Sequence, residues 1–196
     1  MAYLDNTTRD RYLEYTKSRV TEKRFLHTLG TEKMAIAIAE NCGANIAAVQ
    51  TAAILHDAFK CISKEEKRIL ASKYNINEKE IAENNPDLLH GPIAAEAVKA
   101  DLGIEDADIL NAIRWHTTGR ANMTELEKII YLADMIEPNR KPYPGLEPLR
   151  EICMRNLDQA MHTALRMSLE HVMEQGKTLH PDTLAALKTY EPEQTV

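Results

Sequence analysis

The chain has 196 residues, 44% of them hydrophobic and 28% charged, a balance that excludes a disordered or fibrous protein and supports one domain with its own core. A net charge of −6 argues against a broad basic surface for nucleic acid, but not against a small phosphate ligand held beside metal ions. Three widely spaced cysteines, Cys42, Cys61 and Cys153, form no CxxC pair and read as reduced thiols rather than zinc ligands or disulfides.

Aromatic residues are only 5% while Ala, Ile, Leu and Met are plentiful, a mixture that favours helices over strands. Cap candidates Asp5, Asn6 and Thr7 open a first helix running through Tyr12 and Tyr15 towards Arg19. A second, about 24–41, has Met34, Ala35 and Ile38 at helical spacing and stops at Cys42-Gly43. The third, 46–58, is apolar nearly all round and belongs at the centre of a bundle. Ser63 with Glu66, and Thr124 with Glu127, have capping-box spacing. Gly91-Pro92 opens a helix through Val98 that Gly103 closes, and 105–115 forms another. Pro138, Pro142, Pro144 and Pro148 mark an irregular connection. A long helix over about 157–175 and a short one after Pro181 follow. Met154, Met161, Met167 and Met173 read as core filler. The expectation is a single all-α domain over 1–190 with a mobile polar tail at 191–196. The polar N-terminus, and the lack of any run near the ~20 apolar residues of a membrane span, point to a soluble, cytoplasmic protein without membrane contacts.

His27, His56, His90 and His116 each fall at or near a predicted helix end or turn. Asp57 follows His56, and Asp134 interrupts the apolar run 129–136. A carboxylate buried in such a run is costly unless paired, and a cation held by imidazoles and carboxylates would answer all these costs together. Each residue alone has a plainer reading, as a hydrogen-bonded core histidine or an aspartate paired with a nearby base.

As an ordered set they say more. The blocks Arg24-Phe25-Leu26-His27, Ala53-Ile54-Leu55-His56-Asp57-Ala58-Phe59-Lys60, Leu88-Leu89-His90-Gly91-Pro92, Ile113-Arg114-Trp115-His116-Thr117-Thr118-Gly119, and Leu126 through Asp134 with the following Met135-Ile136-Glu137-Pro138-Asn139-Arg140, come in sequence. This arrangement resembles the HD superfamily of metal-dependent phosphohydrolases, and within it the YqeK-like family of symmetrical dinucleoside tetraphosphatases. The likeness extends over about residues 10–190. It implies a helical bundle in which His27, His56, Asp57 and Asp134 hold one metal. His90 and His116 imply a second, with Asp57 as the bridge. Iron is the first candidate, and Mn, Co and Zn also suit the imidazole and carboxylate donors.

The resemblance implies hydrolysis of diadenosine tetraphosphate to two ADP, with hydroxide generated at the two metals as nucleophile. No P-loop or GxGxxG fingerprint competes with that reading. Asp57 and Lys60 are the expected catalytic residues. Lys60, Thr117, Thr118, Arg120, Arg140 and Arg24 are the candidate contacts to phosphate; Lys60 shares the face of His56 if that helix continues. Each basic residue could equally be an exposed surface group. His162, His171 and His180 lie outside the matching blocks and read as surface or packing residues. Two other functions stay open: a phosphatase acting on nucleoside mono- or triphosphates, and a non-catalytic nucleotide-sensing module. A small-molecule nucleotide is the expected partner, and a homodimer is compatible with so many apolar helices.

Overall fold

The computed structural model describes residues 2–77 and 85–191, and among them every regular element is a helix. In chain order these are α1 (Asn6–Lys17), α2 (Glu22–Cys42), α3 (Ile46–Leu55), α4 (Lys64–Lys73), a 3-10 helix (Pro86–Leu89), α5 (His90–Leu102), α6 (Ala107–Trp115), α7 (Glu125–Ile136), α8 (Leu146–Cys153), α9 (Leu157–Glu174) and α10 (Pro181–Tyr190).

Local chemistry sets the boundaries. Asp5, Thr21, Asn45, Asp106 and Asn156 accept first-turn N–H groups at the starts of α1, α2, α3, α6 and α9. Both capping boxes form, Ser63 with Glu66 at α4 and Thr124 with Glu127 at α7. Gly103 ends α5 at φ 70°, a left-handed conformation that glycine adopts without a Cβ penalty.

The centre of the bundle is α3, packed against α1, α2, α6 and α7. Val49, Ala52, Ala53, Ile54 and Leu55 are wholly buried, as a helix apolar on every side requires. The expected span of 46–58 shortens to Leu55. There the Ala58 N–H turns back to the Leu55 carbonyl at 3.2 Å, and Thr16 of α1 donates its hydroxyl to the Ile54 carbonyl at 2.8 Å. A carbonyl left over at the helix end is thereby satisfied inside the core. The chain turns within the bundle, carrying His56 and Asp57 with it.

Two further boundaries differ from expectation. The proline-rich connection contains α8, with Pro148 in its first turn, where a missing N–H leaves no helical bond unmade. Its Arg150 donates to the carbonyls of Ile136 and Glu137, closing the C-terminus of α7. The helix expected to open at Gly91 instead starts at His90, directly out of the 3-10 helix, and reaches Leu102. Of the four methionines, Met161 is buried and Met167 packs on the core, whereas Met154 and Met173 are exposed. No helix among the described residues is long and apolar enough to cross a membrane. Glu191 is exposed, and the rest of the expected tail lies outside the described residues.

Candidate metal centre

Five helices deliver six side chains to one place. His27 comes from the second turn of α2, His56 and Asp57 from the end of α3, His90 from the start of α5, His116 from the end of α6, and Asp134 from the last turn of α7. His56 and His90 are wholly buried, and His27, His116 and Asp57 nearly so.

The outer ring nitrogens fix how the inner ones face. Nδ1 of His56, His90 and His116 donates to a carbonyl three residues back, of Ala53 (2.7 Å), Asp87 (2.5 Å) and Ile113 (2.7 Å). A carbonyl can only accept, so the proton sits on Nδ1 and each neutral ring offers a bare Nε2 lone pair. Nδ1 of His27 donates to Glu137 Oε1 at 3.1 Å, which likewise turns Nε2 inward. Nε2 of His27 and of His56 are buried without a hydrogen-bond partner. Those of His90 and His116 face each other at 3.0 Å. Lone pairs so placed repel unless a cation stands beside them.

Asp57 divides its two oxygens between the two pairs. Oδ2 lies 3.4 Å from His56 Nε2 and 3.6 Å from His27 Nε2, while Oδ1 lies 3.2 Å from His90 Nε2 and 3.6 Å from His116 Nε2. Asp134 Oδ1 is 2.9 Å from His27 Nε2. Burial pushes the Asp57 carboxyl up, but the charge of His56 and the close approach of the His116, His56 and His90 rings outweigh it and hold it well below the carboxylate range. Asp134 is held low against burial in the same way, by His27, His56 and Arg140. Burial, then the charge of Lys60, lowers His90 to about 4, so its ring stays neutral at ordinary pH. Two sets, His27 with His56 and Asp134, and His56 with Asp57 and His116, each offer three ligand atoms within 4.8 Å of one another. Orphaned buried Nε2 atoms beside carboxylates, with no thiolate among them, fit a divalent first-row metal.

The remaining expected residues divide into two groups. Lys60 reaches the cluster through a turn (its N–H bonds the Asp57 carbonyl), not along a continued helix, and its Nζ lies 3.4 Å from His90 Nε2. Burial lowers its pKa. The Thr117 hydroxyl is 3.0 Å from His116 Nε2 and 3.2 Å from His90 Nε2. Arg24 donates to Asp57 Oδ2 at 2.9 Å, and Arg140 grips Asp134 through its carbonyl and Oδ1. Thr118 and Arg120 are engaged elsewhere. The Thr118 hydroxyl donates to the Gly119 carbonyl, and Arg120 Nε donates to Glu127, the buried member of the α7 capping box. A surface hollow of about 750 Å³ beside Lys128, His162 and Tyr190 contains none of the six clustered residues.

The sequence pattern assigns Glu137 no role. Two signals point to it: a carboxylate just past the end of a helix, where the dipole disfavours it, and Gly30 inside α2, where glycine costs about 1 kcal/mol relative to alanine.

An all-helical bundle centred on a buried His-Asp pair among further imidazoles defines the class of HD-domain, metal-dependent phosphohydrolases. Residues 24–139, which include all six clustered residues, match the family model described as HD domain. The chain is 38% identical over 175 residues to the symmetrical bis(5′-nucleosyl)-tetraphosphatase of Bacillus subtilis, covering 89% of this chain and 93% of that one. It is 41% identical over 177 residues to the protein of the same description from Halalkalibacterium halodurans, covering 90% and 94%. A crystal structure from Clostridium acetobutylicum, of an HD superfamily hydrolase described as involved in NAD metabolism, superposes with a TM-score of 0.87 at 32% identity, over 96% of this chain and 98% of that one. The chain belongs to the HD domain family, in the branch that these tetraphosphatases represent.

Proposed function

We propose that this chain hydrolyses diadenosine tetraphosphate symmetrically to two ADP, with two metal ions, iron being the first candidate, held by His27, His56, Asp57, His90, His116 and Asp134. The relatives' activity supports the substrate. The observation that carries the dinuclear part is Asp57, whose separate oxygens face separate imidazole pairs, the arrangement of a bridging carboxylate. When bound, such ions supply Lewis acidity and acidify a water for attack on phosphorus.

The chain's own residues supply the rest. Nδ1 hydrogen bonds orient all four imidazoles with Nε2 inward. Lys60, half-buried beside His90, offers a cationic amine to a phosphate oxygen and offsets charge that develops on the leaving group. Arg24 and Arg140 each hold a carboxylate with part of the guanidinium while about a third of the side chain stays exposed, at 29% and 34%. Their remaining N–H donors suit the outer phosphates. The Thr117 hydroxyl adds a donor beside His90. Thr118 and Arg120, already bonded within the fold, take no part in this scheme.

Incubating metal-replete protein with diadenosine tetraphosphate and separating the products by ion exchange tests the reading. Two ADP per substrate is the expected result. Recovery of AMP with ATP, or no turnover by protein shown to carry metal, overturns it.

A further inference from the structure

Three of the four imidazoles rest on main-chain carbonyls, and His27 does not. His56, His90 and His116 sit where helices begin or end, within reach of a carbonyl three residues back. His27 lies inside α2, where the helix's own ladder takes up the carbonyls. Its Nδ1 meets the Glu137 carboxylate instead.

That carboxylate is held in place from several sides. Glu137 is 2% exposed, and its Oε2 accepts the Asn139 N–H at 2.5 Å. The Asn139 side chain donates to the Leu26 carbonyl at 3.2 Å, next to His27, and Arg150 donates to the Glu137 carbonyl at 2.8 Å. Gly30, on the turn of α2 after His27, leaves the space: a Cβ there would collide with Glu137 Oε2. A carboxylate kept at this position against burial and the α7 dipole needs a reason, and the hydrogen bond to His27 supplies one.

We infer that Glu137 is a positioning residue that fixes His27 as the Nδ1–H tautomer, with Nε2 directed at Asp134 and Asp57, and makes it a stronger donor to a cation than the carbonyl-backed rings. A carboxylate polarises the imidazole more than an amide carbonyl does, and loss of such an outer partner typically weakens metal affinity about 10- to 100-fold. The inference rests on the metal-site reading above, and predicts inequality: the position served by His27, His56 and Asp134 depends on Glu137, while the one served by His90 and His116 does not.

The test uses the full-length chain, stripped of metal and titrated with Co(II) while its visible absorption is followed, for wild type, Glu137→Gln and Gly30→Ala. Glutamine keeps the size but has one acceptor oxygen for two donors, His27 Nδ1–H and Asn139 N–H. The alanine displaces Glu137 without changing its chemistry. Long-range ¹H–¹⁵N spectra of ¹⁵N-histidine protein read the His27 tautomer independently of metal, and circular dichroism checks the fold. Expected for both variants is one cobalt equivalent weakened by roughly 10- to 100-fold, the other unchanged, and loss of the single His27 Nδ1–H form. Should Glu137→Gln fail to fold, Gly30→Ala carries the same comparison. A wild type that takes two equivalents, with variants that match it in affinity and tautomer, overturns the role of Glu137 alone. A wild type that takes up no cobalt overturns the metal-site reading, and this inference with it.

Discussion

A Cβ on Gly91 would lie 2.6 Å from the Arg114 carbonyl oxygen and 3.2 Å from that of Ile113. Those carbonyls are backbone and cannot swing aside, and Ile113 is also the acceptor for His116 Nδ1. Glycine next to His90 therefore sets how closely the start of α5 approaches the end of α6, and hence the 3.0 Å between the two Nε2 atoms. Gly91→Ala should force the helices apart at a cost of about 1–3 kcal/mol, only partly offset by alanine's helix propensity. The expected reading in a Mn(II) titration followed by electron paramagnetic resonance is one tight equivalent in place of two. Two equivalents at wild-type affinity would show that the close approach is not required. At this scale the apolar runs around them made His56-Asp57 and Asp134 visible in the sequence, whereas His27, His90 and His116 were legible only through the ordered blocks of the family resemblance. Glu137 stayed hidden because its partner is 110 positions away, and Thr118 and Arg120 looked available because sequence does not show which hydrogen bonds are already made.

At the scale of elements, α10 shows how a residue outside the site supports it. His180 caps α10, its Nδ1 accepting the Asp182 N–H at 3.0 Å, and Thr183 in the first turn donates to the Thr118 carbonyl at 2.8 Å. The helix so started packs against the turn that follows His116 and Thr117. Burial lowers the His180 pKa, with Asp182 opposing. A histidine lowered in the folded state binds more protons when unfolded. Its contribution to stability is therefore present above the ordinary value near 6.5 and shrinks as pH falls from there towards the folded value. His180→Asn keeps a capping oxygen without the titration, and His180→Ala removes the cap at a cost of about 1 kcal/mol. Thermal midpoints at pH 7.5 and 5.5 should show a larger acid loss for wild type than for His180→Asn, and equal losses would dismiss the titration. Element boundaries were legible where side chains made them, at the capping boxes and at Gly103. They were not legible at Leu55, where a hydroxyl from another helix ends α3, or at α8, whose proline only looked like a breaker.

For the whole molecule, the groups proposed to hold a metal are a liability without one. Four imidazoles and the carboxylates of Asp57, Asp134 and Glu137 meet inside the bundle, with Arg24, Arg140 and Lys60 as the nearby cations. Much of the remaining interior is aliphatic, which is why fold class was legible from composition while the stability of the centre was not. Metal that binds only the folded chain adds about 2.7 kcal/mol at one hundred times its Kd, or roughly 5–10 °C in midpoint for a domain of this size. Protons compete for the same lone pairs. Burial works to lower His56, but Asp57 and Asp134 outweigh it and raise the ring above its usual 6.5, so a proton competes with metal for its lone pair more strongly than on a free imidazole. Metal stabilisation should therefore weaken as pH falls. Melting curves with and without a chelator, at pH 7.5 and 6.0, should show a gap that narrows in acid. A gap that is absent at pH 7.5, in protein shown to carry metal, would mean that the bundle closes on its six residues without needing the ion between them.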